Sequence, residues 1–394
     1  MSSIINNSNA NSSLINTINA SDSKMNPNVY STKKIYPASA VVYQKTEKSS
    51  GSIAASQTIT FDLMKYGIAQ QILLCYTKVG AGGTIKSFDF LDVIDRIELL
   101  SSSKVIDTLT NRDILAQLSD LEYSQYYPIS KSLVEARGAA DSHLFVVPLV
   151  FGFFKDINTN LNLQFNEPMS VRVKFGAHPS NNAGVASVLT DCFLKLRYKA
   201  YNEADYSEVL TQNYSEPELN VMTTGFYDEN VAVAVVKNGT KTNGDKGTPI
   251  ELKNTDCVNS FFISVRQQNT TDHSLPLKIA RVVMTASGQD IFDLSGEELY
   301  FSKLCENGFC IGGASDDTQY VAKIQVGMWE YSGGGTQSNT MSLRELNNPV
   351  ITVFFELSAN VAQDTNFDVV CCEEAVKIVT TVSSSGRCQT SLSN

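Results

Sequence analysis

Residues 94–118 read IDRIELLSSSKVIDTLTNRDILAQL, and residues 279–303 read IARVVMTASGQDIFDLSGEELYFSK. The two stretches align without a gap when the chain is shifted on itself by 185 residues, the offset between positions 94 and 279. The shift places Arg96 on Arg281 and Ser102 on Ser287. Each stretch is predicted to form a strand, a turn, a short strand, a polar turn and a short helix. A match at one fixed offset indicates a duplicated structural unit.

The segments around the two stretches follow the same order. Each stretch comes after two or more predicted strands and before a long loop and three further strands. Short strands with period-two alternation, separated by turn residues, are typical of β-sandwiches. The sequence therefore predicts an all-β chain with two successive sandwiches and short helices at 111–121 and 296–304. The predicted strands are 57–63, 71–76, 92–100, 143–154, 170–175, 192–198, 231–236, 260–266, 277–285, 320–328, 350–357 and 367–371.

Length and composition agree with two domains that have polar surfaces. The chain has 394 residues, of which 42% are hydrophobic and only 18% are charged, so Ser, Thr, Asn and Gln must cover much of the surface. The formal net charge is −10 and no basic cluster is present. Neutralising phosphates requires clustered Lys and Arg, so we expect no specific nucleic-acid partner. Long polar loops are predicted at 238–254, 308–319 and 332–343.

Residues 1–35 differ from the rest of the chain because they are rich in Asn and Ser. Such a segment cannot bury enough apolar surface to fold alone, so it is predicted to be an N-terminal arm. Two interpretations stay open: a disordered tail, or a segment that becomes ordered against neighbouring subunits. The arm has no positive region followed by an apolar run, so we do not expect a secretory signal. Its candidate docking residues are Ile4, Ile5, Leu14, Ile15 and Ile18.

The sequence offers no strong motif for catalysis, a cofactor or a metal. The three histidines, His143, His178 and His273, are far apart and form no zinc-hydrolase motif. The pairs Cys305/Cys310 and Cys371/Cys372 could in principle bind zinc, although structural zinc sites use tighter spacing. The eight cysteines are scattered, so reduced thiols are expected. They are Cys75, Cys192, Cys257, Cys305, Cys310, Cys371, Cys372 and Cys388.

The stretch LFVVPLVFGFFKDINTNLNLQFNEPMSVRVKFG at 144–176 resembles the Pro-Leu-x-Phe-x-Phe strand, polar loop and Val/Phe strand of the double-jelly-roll major capsid proteins. These proteins are shared by adenoviruses, large nucleocytoplasmic DNA viruses and tailless membrane-containing bacteriophages. The repeated stretch and AVKIVTTVSSSG at 375–386 also resemble parts of this family. Val150 and Gly152 depart from it, since many members have Pro and Trp there. The residues that carry the resemblance are Pro148, Leu149, Phe151, Phe153, Arg96, Arg281, Gly288 and Phe292.

The resemblance implies two tandem eight-stranded jelly rolls, at 36–217 and 218–394, after the arm at 1–35. It implies a non-enzymatic major capsid protein without a cofactor, made in the host cytoplasm and located in the virion. Its partners would be two further copies in a pseudo-hexameric homotrimer, neighbouring capsomers, penton and minor capsid proteins, and an inner membrane touched by the arm. The alternatives are a secreted two-sandwich protein that binds or processes carbohydrate, and a minor virion or spike protein. The single tryptophan, Trp329, offers little surface for stacking on sugars.

Overall fold

The computed structural model describes most of the chain after the N-terminal arm. The described residues are 41–48, 53–65, 67–79, 85, 88–120, 133, 142–154, 163, 167–177, 188–200, 218–226, 229–254, 257–268, 277–299, 321–326, 328–329, 337–338, 340–384 and 387–392. Strands dominate these ranges. The predicted all-β fold is thereby confirmed.

The first eight strands form one sandwich of two four-stranded antiparallel sheets. Sheet 1A has the order β1-β8-β3-β6 and sheet 1B the order β2-β7-β4-β5, which is the topology of a jelly roll. Helix α1 (Phe90–Val93) precedes β4, and helix α2 (Asn111–Asp120) follows β5. The strands are β1 (Val41–Lys48), β2 (Thr58–Asp62), β3 (Ile68–Val79), β4 (Ile94–Ser101), β5 (Lys104–Thr110), β6 (His143–Pro148), β7 (Met169–Phe175) and β8 (Val188–Ala200).

The second half of the chain repeats this topology. Sheet 2A contains the order β10-β20-β12-β15, and sheet 2B has the order β11-β19-β13-β14. The core strands are β10 (Asn230–Val236), β11 (Thr248–Glu251), β12 (Cys257–Gln267), β13 (Leu277–Ala286), β14 (Gln289–Ser295), β15 (Val321–Gln325), β19 (Val350–Leu357) and β20 (Thr365–Ser384). The additional strands are β9 (Glu218–Phe226), β16 (Met328–Trp329), β17 (Gln337–Ser338), β18 (Met341–Ser342) and β21 (Arg387–Leu392).

The internal repeat is also visible in the irregularities of the backbone. β4 and β5 shift register between Leu99 and Leu100, and β13 and β14 shift register between Met284 and Thr285, at the same offset of 185. The turns that follow have positive φ at Ser102 (57°) and at Ser287 (53°). Bulges and left-handed residues are specific local features. Their recurrence at matched positions supports duplication of one sandwich.

Each sandwich has its own apolar core, built by alternation along the strands. In β19 the side chains of Ile351, Val353 and Phe355 are buried, while Thr352 and Phe354 between them are partly exposed. This alternation is expected for a strand with one face on the core of a sandwich. The Phe355 ring contacts the Phe367 ring of the opposing sheet at 5.4 Å.

Several predicted boundaries were wrong. The strand predicted at 143–154 ends at Pro148 and is followed by a 3₁₀ turn at Gly152–Phe154. Residues 92–93 belong to α1, and the loop predicted at 238–254 contains β11. The segments 367–371 and 375–386 are largely one strand, because β20 continues through Glu373 and Glu374. The loop predicted at 308–319 lies outside the described residues.

Within the described ranges, we find no helix with the length and apolar character needed to cross a membrane.

Candidate functional site

The two sandwiches contact each other along a seam. The first sandwich contributes β5, α2 and the 3₁₀ turn at Gly152–Phe154 to the seam. The second sandwich contributes β9, β15, β20 and β21. Phe262, Val370 and Cys372 lie on the outer face of sheet 2A and belong to the same hydrophobic cluster as the core of the first sandwich. The apolar surface is therefore continuous across the seam, and its burial holds the two sandwiches together.

Ion pairs border this apolar contact. Arg112 of α2 donates to Glu229 (2.8 Å) and to Asp368 (3.4 Å) of the second sandwich. Arg266 of β12 donates to Asp92 of α1 at 2.8 Å. These side chains are only partly exposed, so removing one partner leaves a poorly solvated charge. The pairs favour one relative orientation of the two sandwiches.

Lys377 forms a buried connection across the seam. Its Nζ donates to the carbonyl oxygen of Phe226 at 2.6 Å and lies 3.4 Å from Oδ1 of Asp107 on β5. The other oxygen of Asp107 accepts the backbone N–H of Gly152 at 3.0 Å. A Cβ at Gly225 would lie 2.8 Å from Nζ of Lys377, so glycine leaves the space that this side chain occupies. The lysine, the aspartate and the 3₁₀ turn thereby form one network.

Asp113 lies fully buried at the same seam. Its backbone N–H donates to Oγ1 of Thr110 (3.1 Å), and its Oδ2 accepts the backbone N–H of Thr110 (2.8 Å), which is a capping box at the start of α2. Burial raises the pKa of Asp113 to about 7, and the negative charge of Glu229 adds to the rise. Hydrogen bonds from Thr110 and Cys372 oppose it. This carboxyl group therefore titrates near neutral pH.

The buried thiols are poorly suited to thiolate chemistry. Burial raises the pKa of Cys75 to about 11 and that of Cys192 to about 12, and it raises the pKa values of Cys371 and Cys372 well above the usual range. Cys371 lies in the second core, whereas Cys372 faces the seam, so the adjacent thiols point to opposite faces of β20. Among the described residues, no cluster of His, Cys, Asp or Glu could hold a metal ion.

The structure brings some of the predicted residues together. Pro148, Leu149, Phe151 and Phe153 are all buried between the end of β6 and the 3₁₀ turn, and β9 of the second half contacts that turn. Arg96 and Arg281 are exposed, and each pairs with a carboxylate of its own sheet. Gly288 has φ +75° in the turn before β14, and Phe292 packs partly buried against the second core. The five arm residues, Ile4, Ile5, Leu14, Ile15 and Ile18, lie outside the described residues.

The sequence patterns did not predict the seam or the polar residues that form it. A local signal was nevertheless present: Thr110-x-x-Asp113 and Ser295-x-x-Glu298 are capping boxes at the repeat offset. The charged partners of Arg112 and Lys377 are more than 100 residues away in the chain and leave no local pattern.

No protein-family model and no curated protein sequence matches the chain. Solved structures do match it. VP54 of PBCV-1 is similar with a TM-score of 0.64 and 11% identity, over 92% of this chain and 99% of that one. The Faustovirus major capsid protein has a TM-score of 0.55 and 8% identity, over 87% and 91%. The mavirus major capsid protein has a TM-score of 0.51 and 14% identity, over 91% and 91%. The chain therefore has the double-jelly-roll fold of these viral proteins.

Proposed function

We propose that this chain is the major capsid protein of an icosahedral virus and that three copies form a pseudo-hexagonal capsomer. The observation that carries the proposal is that the same eight-stranded topology occurs twice in one chain. Two of the similar structures are described as major capsid proteins, and each similarity extends over most of both chains.

The duplication has a direct geometric use in a shell. Three chains with two similar sandwiches each provide six similar bodies. Arranged around a threefold axis, these six bodies can form a ring whose outline is nearly sixfold. Such a tile can pack against six neighbours. The seam suits this role because its apolar contact and its ion pairs hold the two bodies of a chain in one arrangement.

The proposed division of the chain is an arm at 1–35, a first jelly roll at 36–217 and a second at 218–394. The pairing of β9 with β20 supports a boundary close to residue 218, because β9 thereby joins the sheet of the second sandwich. The arm would lie beneath the tile and contact neighbouring subunits or an inner membrane.

A shell role requires surfaces rather than a catalytic centre or a cofactor, so we infer a non-enzymatic protein of the virion, made in the host cytoplasm. Its partners would be identical chains, neighbouring capsomers, and penton and minor capsid proteins. The net charge of −10 supports a shell that makes no specific contact with nucleic acid.

The test is the solution mass of the purified full-length chain, measured by light scattering during size-exclusion chromatography, followed by negative-stain imaging. We expect a species near three times 43.1 kDa with a hexagonal outline. A monomer at all concentrations would contradict the proposal and favour a secreted sandwich protein or a minor virion protein. A trimer with a narrow, elongated outline would favour a spike.

A further inference from the structure

We propose that the outer surface of β14 in one chain binds the outer face of sheet 1A in a second chain, and so repeats between chains the contact that the seam makes within a chain. The inference rests on the proposed capsomer and identifies the surfaces that join its subunits. It follows from comparing matched positions of the internal repeat.

The first copy of the repeat is covered by the second sandwich. Ile106 is the extra residue of the bulge in β5 and is 1% exposed. Asp113, in the capping box after β5, is 2% exposed. Strands β9 and β21 contact β5, while β15 and β20 contact α2. This end of the first sandwich is therefore an interface.

The second copy of the repeat has the same backbone, but the part of the chain that the structure describes does not cover it in this way. Ile291 is the extra residue of the matching bulge in β14 and is 41% exposed. Glu298, which corresponds to Asp113, is also exposed. Among the described elements, β14 packs chiefly against β13 of its own sheet. A surface that is buried in one sandwich is thus open in its duplicate.

The receiving surface can be identified in the same way. Within the chain, the seam covers the outer face of sheet 2A, where Phe262 and Val370 are buried. The corresponding sheet of the first sandwich is 1A. In β6 of that sheet, Phe145 and Val147 enter the core, so Leu144 and Val146 face outward, and Leu144 is 50% exposed. Leu144 is an exposed apolar side chain on this face that a second chain would cover.

The two surfaces are different, so the contact between chains is heterologous. Each chain would offer its β14 to the next chain and receive the β14 of the preceding one on sheet 1A. Such a head-to-tail contact forms a closed ring when the rotation fits. If the contact between chains repeats the rotation of the seam, three chains alternate six sandwiches around the ring.

The experiment uses two full-length variants, Ile291→Glu and Leu144→Glu, each of which introduces a charge into one of the two surfaces. At a concentration at which the wild type is trimeric, we expect each variant alone to have a mass near 43.1 kDa. This corresponds to an affinity between chains that is weakened about tenfold or more. Met64→Glu is the matched control, since Met64 is similarly exposed (37%) and follows β2, a strand of sheet 1B that belongs to neither surface. This control is expected to remain trimeric.

Mixing the two variants tests the head-to-tail geometry. The Ile291→Glu chain keeps an intact sheet 1A and the Leu144→Glu chain keeps an intact β14, so the mixture should form a dimer near twice 43.1 kDa and nothing larger. Circular dichroism and the milder variants Ile291→Thr and Leu144→Thr show whether loss of the trimer reflects unfolding. If the wild type and both Glu variants are all trimeric, or if the folded variants do not form the mixed dimer, the inference is wrong and the proposed function stands. A monomeric wild type refutes both.

Discussion

Asp113 and Glu298 occupy matched positions of the internal repeat and close the same capping box, yet the pKa values of their carboxyl groups shift in opposite directions. Burial under the second sandwich raises the pKa of Asp113 to about 7. Hydrogen bonds from the backbone N–H and the hydroxyl of Ser295 lower the pKa of the exposed Glu298. The local motif is shared, so the difference arises from the seam.

Replacing Asp113 with Asn should change how stability depends on pH. The pKa of Asp113 is about 7 in the folded chain and has a reference value of 3.8. The folded state therefore binds this proton more tightly, and stability is lost as the pH rises between these values. Asn cannot ionise and can still accept the Thr110 N–H. We expect the variant to gain stability relative to the wild type between about pH 4 and pH 7, on the order of 4 kcal/mol.

Urea unfolding over this pH range measures the difference, and Glu298→Gln is the matched control. The pKa of Glu298 is lowered, so its contribution to stability is present above its usual pKa and disappears as the pH falls through the folded-state value. The control should therefore be slightly less stable than the wild type at neutral pH and equal to it in acid. Parallel pH profiles for Asp113→Asn and the wild type would contradict burial of Asp113 at the seam.

Removing the guanidinium of Arg112 should destabilise the contact between the sandwiches. Arg112→Ala leaves the partly buried carboxylates of Glu229 and Asp368 without this partner. We expect a loss of roughly 2 to 4 kcal/mol in the free energy of unfolding, measured by urea denaturation. Arg281→Ala is the control, because Arg281 also contacts a carboxylate but is exposed, and this change should have little measurable effect. Equal losses in the free energy of unfolding of the two variants would show that the ion pairs of Arg112 at the seam contribute no more to stability than an exposed ion pair.

The duplicated sandwich could be predicted from sequence because its signals are local. The strand and turn pattern around Ser102 recurs around Ser287, and the structure repeats even the bulges next to them. Alternation along β19 similarly predicted the strand at 350–357 with its correct bounds. These features depend on residues within a few positions of one another.

The rest could not be predicted because it depends on distant partners. Glu373 and Glu374 interrupt the apolar pattern of β20, yet both are buried, and Glu373 accepts a hydrogen bond from Asn230 at 2.6 Å. The short strand β11 (Thr248–Glu251) was not predicted, because it has only four residues and contains Pro249. It lies on the edge of sheet 2B, where proline is tolerated. The seam could not be predicted from sequence for the same reason, because its ion pairs join residues that are far apart in the chain.

Two glycines of the second repeat should differ in their tolerance of a methyl group. A Cβ at Gly296 would overlap the backbone carbonyl oxygen of Ile279, which no side-chain movement can relieve. We expect Gly296→Ala to cost roughly 3 kcal/mol or more, or to prevent folding. A Cβ at Gly288 would have no neighbouring atom within 4 Å, so the cost of Gly288→Ala comes from the left-handed backbone at φ +75°. We expect this cost to be about 1 to 2 kcal/mol. Soluble yield and thermal unfolding distinguish the two variants. A stable Gly296→Ala variant would contradict the close approach of the backbone at Gly296 to that at Ile279.

Adjacent phenylalanines on β19 test which face of sheet 2B packs on the core. Phe355 is buried and contacts the ring of Phe367, whereas Phe354 is partly exposed beside Arg281. We expect Phe355→Ala to cost about 3 to 5 kcal/mol, because it removes a core ring and leaves a cavity. Phe354→Ala should cost about 1 kcal/mol, because part of this ring already contacts water. Urea denaturation of the two variants measures the contrast. Because a shift of one residue exchanges the faces of a strand, a larger loss for Phe354→Ala would mean that β19 is paired in the wrong register.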